Sequence, residues 1–280
     1  MQIKDKPDRW KAAWWVLAAL ILLGAPLAKA YVLMGAQVLE RMAEILKMPD
    51  ALQVVQRLSW QDENIAVGSR DALTETLTYR MPDRFRADAS GPGFRRVSVS
   101  SGRDAAVVRN GALQPEARAR FEVYKDLLLA RNASEWNYVL RMLGIETAVS
   151  SLGRFENQYC YVLGAHFPDA TAPQLWVAKT TFRPLRLMLP APPLKSEEGA
   201  LEVRYLDWGQ IEGAAYPMLV QIYVNHRLWR EMRVERLAVN PPIPAHLFDT
   251  AALRGNPGGF RPPEPAPGAS PPALPVRPLQ

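Results

Sequence analysis

The sequence predicts an α+β protein, a curved antiparallel sheet or open barrel of near ten strands with helices laid over one face. Three observations predict it. Short segments of alternating apolar and polar residues recur from residue 73 onward, separated by turns rich in Gly, Asn and Pro. Helical periodicity appears near residues 35–47 and again over 116–144. The 280 residues are 48% hydrophobic and 22% charged, which is enough for one sizeable core that such layers must share.

The chain opens with a basic stretch ending at Lys11, then "AAWWVLAALILLGAPLA" over residues 12–28, uncharged and followed by Lys29. Ala28 and Ala30 place small residues at the two positions a signal peptidase reads, so residues 1–30 are a cleaved export signal or, alternatively, a retained inner-membrane anchor. A run of 17 residues stands at the lower limit of a membrane-spanning helix, which needs ~20. Both readings put the body beyond the membrane, in a periplasm. The formal charge of +6 resolves into +3 over residues 1–30, +2 from Arg254 to the end and only +1 in the body. Nucleic acid as a partner needs clustered basic residues on one face and is set aside. Cys160 is the single cysteine, inside "QYCYVLG", and reads as a small packed hydrophobe that cannot form an internal disulfide.

Within the body, "AQVLERMAEILKM" carries Val38, Leu39, Met42, Ile45 and Leu46 at the spacing of a helix with one buried face. After Pro49-Asp50, "ALQVVQRLSW" is read as the start of a second short helix. Strands follow. "LTETLTYR" puts Leu73, Leu77 and Tyr79 on one side; "DRFRADAS" alternates Phe85, Ala87 and Ala89 with charges; "RRVSVSS" alternates Val97 and Val99 with Arg96, Ser98 and Ser100. Ser101-Gly102 and Asn110-Gly111 bracket "AAVVR", which makes this half an antiparallel meander. Residues 116–144 read as two helices, with Phe121, Tyr124, Leu127 and Leu128 on one stripe and Trp136, Val139, Leu140 and Leu143 on the next, stopped by Gly144. A second run of strands then extends to residue 240, with hairpin tips at Thr180-Thr181 and Asn225-His226-Arg227.

The order of these pieces, from "YRMPDRFRADAS" through "VSVSSGRDAAVV", two helices, "YVLGAHF", "PQLWVAKTTFRPLRLML", "VRYLDW" and "YPMLVQIYV" to a last strand ending "VNPPIPAHLFD", resembles the LolA/LolB-like superfamily over about residues 31 to 250. Those proteins are periplasmic carriers and acceptors of bacterial lipoproteins, and their relatives. The resemblance implies an incomplete antiparallel β-barrel of about ten to eleven strands, with helices capping a concave face that receives lipid or lipoprotein acyl chains. The inward residues would include Leu77, Tyr79, Val97, Val99, Val203 and Tyr205. In such carriers an arginine just before a proline in an early strand holds the lid helices; the matching residue is Arg80, with one residue more before Pro82 than the pattern has. Other relatives of the fold serve as periplasmic interaction or sensor modules, which is the alternative, and envelope membrane proteins are the partners either role implies.

Nothing in the sequence assembles a catalytic set. His166, His226 and His246 lie far apart at turns or beside prolines, no glycine-flanked serine elbow is present, and Glu197-Glu198 sits in a proline-flanked loop. No enzyme activity, cofactor or metal is expected. From residue 254 to 280 nine prolines leave almost nothing to bury, so the domain is taken as 31–253 and the remainder as a disordered tail. With a cleaved signal, the mature protein purified from the envelope begins at Tyr31, as N-terminal sequencing would show; residues 1–30 still attached in the membrane fraction would establish the anchored form.

Overall fold

Helix α1 (Gly35–Leu46) is built from strong helix formers and buries Gly35, Val38, Leu39, Met42 and Leu46. Ile45, which the stripe included, is instead 43% exposed. Lys47, in the left-handed region at φ 41°, ends the helix. The computed structural model describes residues 32–60, 73–115, 123–190 and 199–259. The N-terminal segment, Phe121, Glu197-Glu198 and the proline-rich end from residue 260 lie outside the described residues. The chain divides into two units after Val32, and the elements all belong to the second. Among the described residues no helix is long and apolar enough to cross a membrane.

Among the described residues thirteen strands form one open antiparallel sheet. They are β1 (Ala51–Trp60), β2 (Leu73–Arg80), β3 (Arg84–Gly91), β4 (Phe94–Ser101), β5 (Asp104–Arg109), β6 (Ala112–Leu113), β7 (Ser150–Phe155), β8 (Gln158–Leu163), β9 (Gln174–Ala178), β10 (Pro184–Leu189), β11 (Leu201–Ile211), β12 (Ala214–Val224) and β13 (Arg227–Val239). Helices α2 (Val123–Leu127) and α3 (Ala133–Met142) fall between β6 and β7, and a 3-10 turn (Ala245–Phe248) with α4 (Thr250–Gly255) closes the fold.

Two strands exceed the expected ten to eleven. One is the two-residue β6. The other is β1, where a helix was expected. Its residues 52, 55 and 58 do recur at helical spacing, but Val54-Val55 favours extended backbone, and a strand on each side overrides the local preference. The strand is central: β1 pairs with β2 on one side and with the last strand β13 on the other. The order therefore runs β6-β5-β4-β3-β2-β1-β13-β12-β11-β10-β9-β8-β7, and the two free edges are β6 and β7, neighbours in sequence.

The sheet is strongly curved. Tyr79 of β2 and Tyr216 of β12 bring their hydroxyls to 3.4 Å although two strands separate them in the sheet. Helix α2 reaches further. Lys125 lies 5.4 Å from the Phe85 ring of β3, while the Tyr124 carbonyl accepts a bond from Tyr205 of β11. Strands β3 and β11 are five steps apart in the sheet, roughly 24 Å if it were flat, so the sheet must wrap around the helix. This is an incomplete barrel with helices in its concave side.

Both faces of the β3 to β5 region are covered. On the convex side Val97, Val99, Ala106 and Val108 pack with Phe248 and Leu253 from the C-terminal segment. The fully buried Arg86 forks onto Asp88 at 2.6 and 2.7 Å and donates to the Leu247 carbonyl at 3.1 Å, tying that segment to β3. Burial raises the Asp88 carboxyl despite the guanidinium beside it. Helix α4 is held on β5 by Arg254, which donates to both Asp104 oxygens, and by the Thr250 hydroxyl. These bonds keep the Asp104 carboxyl well below the usual range. Helix α4 itself ends at Gly255. Over β7 to β13 the convex side carries a different layer: Arg186 and Arg204 share Glu202 and stand against the rings of Phe155, Trp176 and Tyr223.

Because Leu253 is fully buried against this convex core, Leu253→Ala should lower stability by about 2–5 kcal/mol in urea unfolding, through lost transfer energy and a residual void. Val99→Asp should cost more, since it buries a second carboxylate beside Arg86, whose guanidinium already balances Asp88.

Candidate functional site

Register defines the concave face. Cross-strand partners share a face, so Leu77 and Tyr79 of β2 lie beside Val54 and Leu52 of β1 and beside Ala87 and Phe85 of β3. Across β13 and β12 the same face continues through Leu58, Met232 and Val220 to Tyr205, and through Trp60, Arg230 and Ile222 to Val203. Four of the sequence-predicted residues, Leu77, Tyr79, Val203 and Tyr205, are therefore brought together on this face, each fully buried.

Val97 and Val99 are not among them. Ala87 pairs with Ser98, and Phe85 with Ser100, so the concave face passes through the serines of β4. The valines pair with Asp88 and Arg86 on the opposite side, in the C-terminal core. Alternation in the sequence located two faces but could not say which was inward, because the chain's own end makes the convex side apolar too. Arg80 is likewise elsewhere: it is exposed at the end of β2, opposite Ala51 and Arg84, one step in register from Tyr79. The extra residue before Pro82 has the effect that a one-residue slip must have, turning the side chain to the other face.

The polar group that does join helix to sheet was missed. Glu75, two positions before Leu77 on the inward side, accepts from Lys125 Nζ of α2 at 3.1 Å and from Gln56 Nε2 at 2.6 Å, and both side chains of the ion pair are only 3% exposed. Gln56 Nε2 also lies 3.3 Å from the Tyr124 hydroxyl. Lys125 stands 5.4 Å from the ring centres of Phe85 and Tyr124, and Arg230 stands 5.7 Å from that of Tyr124. Burial pushes the Tyr79 phenol well above its ordinary range, with Tyr216 and Tyr124 adding to it, and Tyr216 rises for the same leading reason. Both phenols stay neutral. A sequence signal for Glu75 existed in retrospect: a carboxylate in phase with Leu73, Leu77 and Tyr79 on an apolar strand face requires a partner.

Cys160 and the three histidines do not converge. Cys160 is buried, and burial pushes its thiol up to about 11, which leaves no thiolate at neutral pH. His166, His226 and His246 are all exposed, in three separate turns. Among the described residues no three His, Cys, Asp or Glu side chains gather where they could hold a metal.

The architecture has counterparts among solved structures. A LolA superfamily protein, NE2245 from Nitrosomonas europaea, superposes with a TM-score of 0.52 at 15% identity, covering 79% of this chain and 100% of that one. A DUF1329 family protein from Desulfovibrio piger gives 0.52 at 12% identity, covering 78% and 97%. The fold is LolA-like. A putative outer membrane lipoprotein-sorting protein domain from Vibrio parahaemolyticus aligns over 79% of this chain and 98% of its own, at 11% identity and a TM-score of 0.50. No family model matches the sequence, and no curated protein matches it.

Removing one partner of the buried pair, by Glu75→Gln or Lys125→Met, should lower stability by about 3–5 kcal/mol in urea unfolding, because the other charge is left buried. The double change Glu75→Leu with Lys125→Met should recover most of that loss.

Proposed function

We propose that this protein is a non-catalytic periplasmic carrier that binds lipid or lipoprotein acyl chains on the concave face. The observation that carries the reading is the make-up of that face. It is largely apolar from β3 to β11, with Glu75, Gln56 and Arg230 set in it, and it seats the five-residue helix α2, whose Tyr124, Lys125 and Leu127 are buried, while α1 packs on β12. Acyl chains need a wide, water-excluded apolar surface, and this one becomes accessible if a short element moves. Helix α2 is a stopper that keeps the surface dry when no cargo is present. The ion pair from Lys125 to Glu75 does the fastening that the resemblance assigned to Arg80, from the neighbouring phase of the same strand. Cargo entry must exchange this pair and the burial of Tyr124 and Leu127 for apolar contact with the chain.

The LolA-like fold, and the likeness to a putative lipoprotein-sorting protein domain from Vibrio parahaemolyticus, support this reading. A second reading, a periplasmic interaction or sensor module, draws on the complete burial of Leu77, Tyr79, Val203 and Tyr205 by the chain's own side chains.

Native mass spectrometry of the protein purified from the envelope separates the two. A carrier retains lipid, and the single change Glu75→Gln, which breaks the pair and loosens the seat of α2, increases uptake of a fluorescent fatty acid. Absence of lipid together with no uptake in either form would leave the interaction module.

A further inference from the structure

Seven large apolar side chains are exposed among the described residues, and four of them, Met34, Ile45, Tyr138 and Met142, lie on α1 or its cap and on α3. The two helices pack together. Gly35 sits so near the Thr147 carbonyl that a Cβ would collide with it, and the Thr147 hydroxyl donates to Asn137 of α3 at 2.6 Å, so the start of α1 meets the flank of α3. Met34 and Ile45 are eleven positions apart, about three turns, and share one side of α1. Tyr138 and Met142, four apart, share the side of α3 opposite the buried Trp136 and Leu140, with the exposed Arg141 beside them. Exposures of 62% for Met34, 67% for Tyr138 and 71% for Met142 are too large for side chains that complete a core.

We propose that the exposed flanks of α1 and α3 seat on a phospholipid bilayer surface. The connection of the chain selects the occupant. The uncharged run over residues 12–28 ends five residues before Leu33, and five residues span at most about 18 Å. Leu33 is fixed to the fold, its carbonyl accepting from the Ser150 hydroxyl at 2.8 Å, and the exposed side chains begin at the next residue. With the run held in a bilayer, this end of the domain cannot leave the membrane. The composition fits: a tyrosine ring sits at headgroup level, methionine and isoleucine enter the acyl boundary, and a long arginine keeps its charge in water. Because α3 follows α2 directly, seating places the stopper of the concave face next to the lipid it would admit. The proposal rests on the anchored form of the carrier reading.

The test uses the full chain in vesicles of phosphatidylethanolamine and phosphatidylglycerol that contain nitroxide-labelled lipid. Single-cysteine probes are placed by Tyr138→Cys, Met142→Cys or Leu113→Cys in a Cys160→Ser background, with circular dichroism to verify folding. Fluorophores at 138 and 142 should be quenched several-fold more than at the exposed control 113, and Tyr138→Asp should abolish the difference for the probe at 142. Equal quenching at all three positions overturns the proposal, since the domain then hangs free on its tether. A probe at 142 shielded from aqueous iodide but not quenched by labelled lipid also overturns it, in favour of a protein partner. Should the protein isolated from the envelope begin at Tyr31, the anchored form fails separately. Sedimentation of that mature chain with the same vesicles then decides: binding lost in Tyr138→Asp with Met142→Asp retains the face, and no binding refutes it.

Discussion

The pairing of the first strand with the last governs this structure. A simple meander of thirteen strands would leave its ends at the sheet edges. Here β1 and β13 lie side by side, with the Ala51 amide bonded to the Asn240 side chain across 189 residues, so the break falls between β6 and β7. The chain must cross that gap. What it uses for the crossing, α2 and α3, is thereby delivered to the open side of the barrel. This helical cover is a consequence of where the sheet is cut, and it needs no separate domain. A bulge at Val55-Gln56 accommodates the extra residue of β13 at the junction, where local twist increases and the sheet can bend.

The same topology explains an unusual distribution of polarity. The concave face holds a buried carboxylate, ammonium and amide at its centre, whereas part of the convex face is an apolar core. A fully apolar concavity would hold α2 by burial alone and give it no preferred seat. The Glu75–Lys125 pair supplies one. Its net contribution to stability is small beside the cost of breaking it from one side, so it specifies a position more than it adds cohesion. On the convex side the C-terminal segment supplies Phe248 and Leu253 as a cover that strands β3 to β5 cannot provide for themselves.

Much of this was legible in the sequence because turns and alternation are local. The hairpins at Gly102 and Asn110-Gly111, the stop at Gly144 and the two runs of strands follow from residues within a few positions of each other. Three features were not. Strand β1 has its partners far along the chain, and local spacing suited a helix equally well. The inward direction of β4 depended on a segment about 150 residues away that buries the other face, which made Val97 and Val99 appear to line the concavity. Glu75 and Lys125 were each ordinary charged residues until the fold placed them 3.1 Å apart.

The reach from β1 to β13 also has a bearing on biogenesis. A chain emerging N-terminus first presents β1 to β6 long before β13 exists, and the convex side of β3 to β5 waits longer still for Leu247, Phe248 and α4. Neither half can close early. Contacts of such sequence separation bear a large loop-closure entropy and form slowly. The polypeptide accordingly cannot complete its sheet until β13 is made, so closure comes late in the order of synthesis.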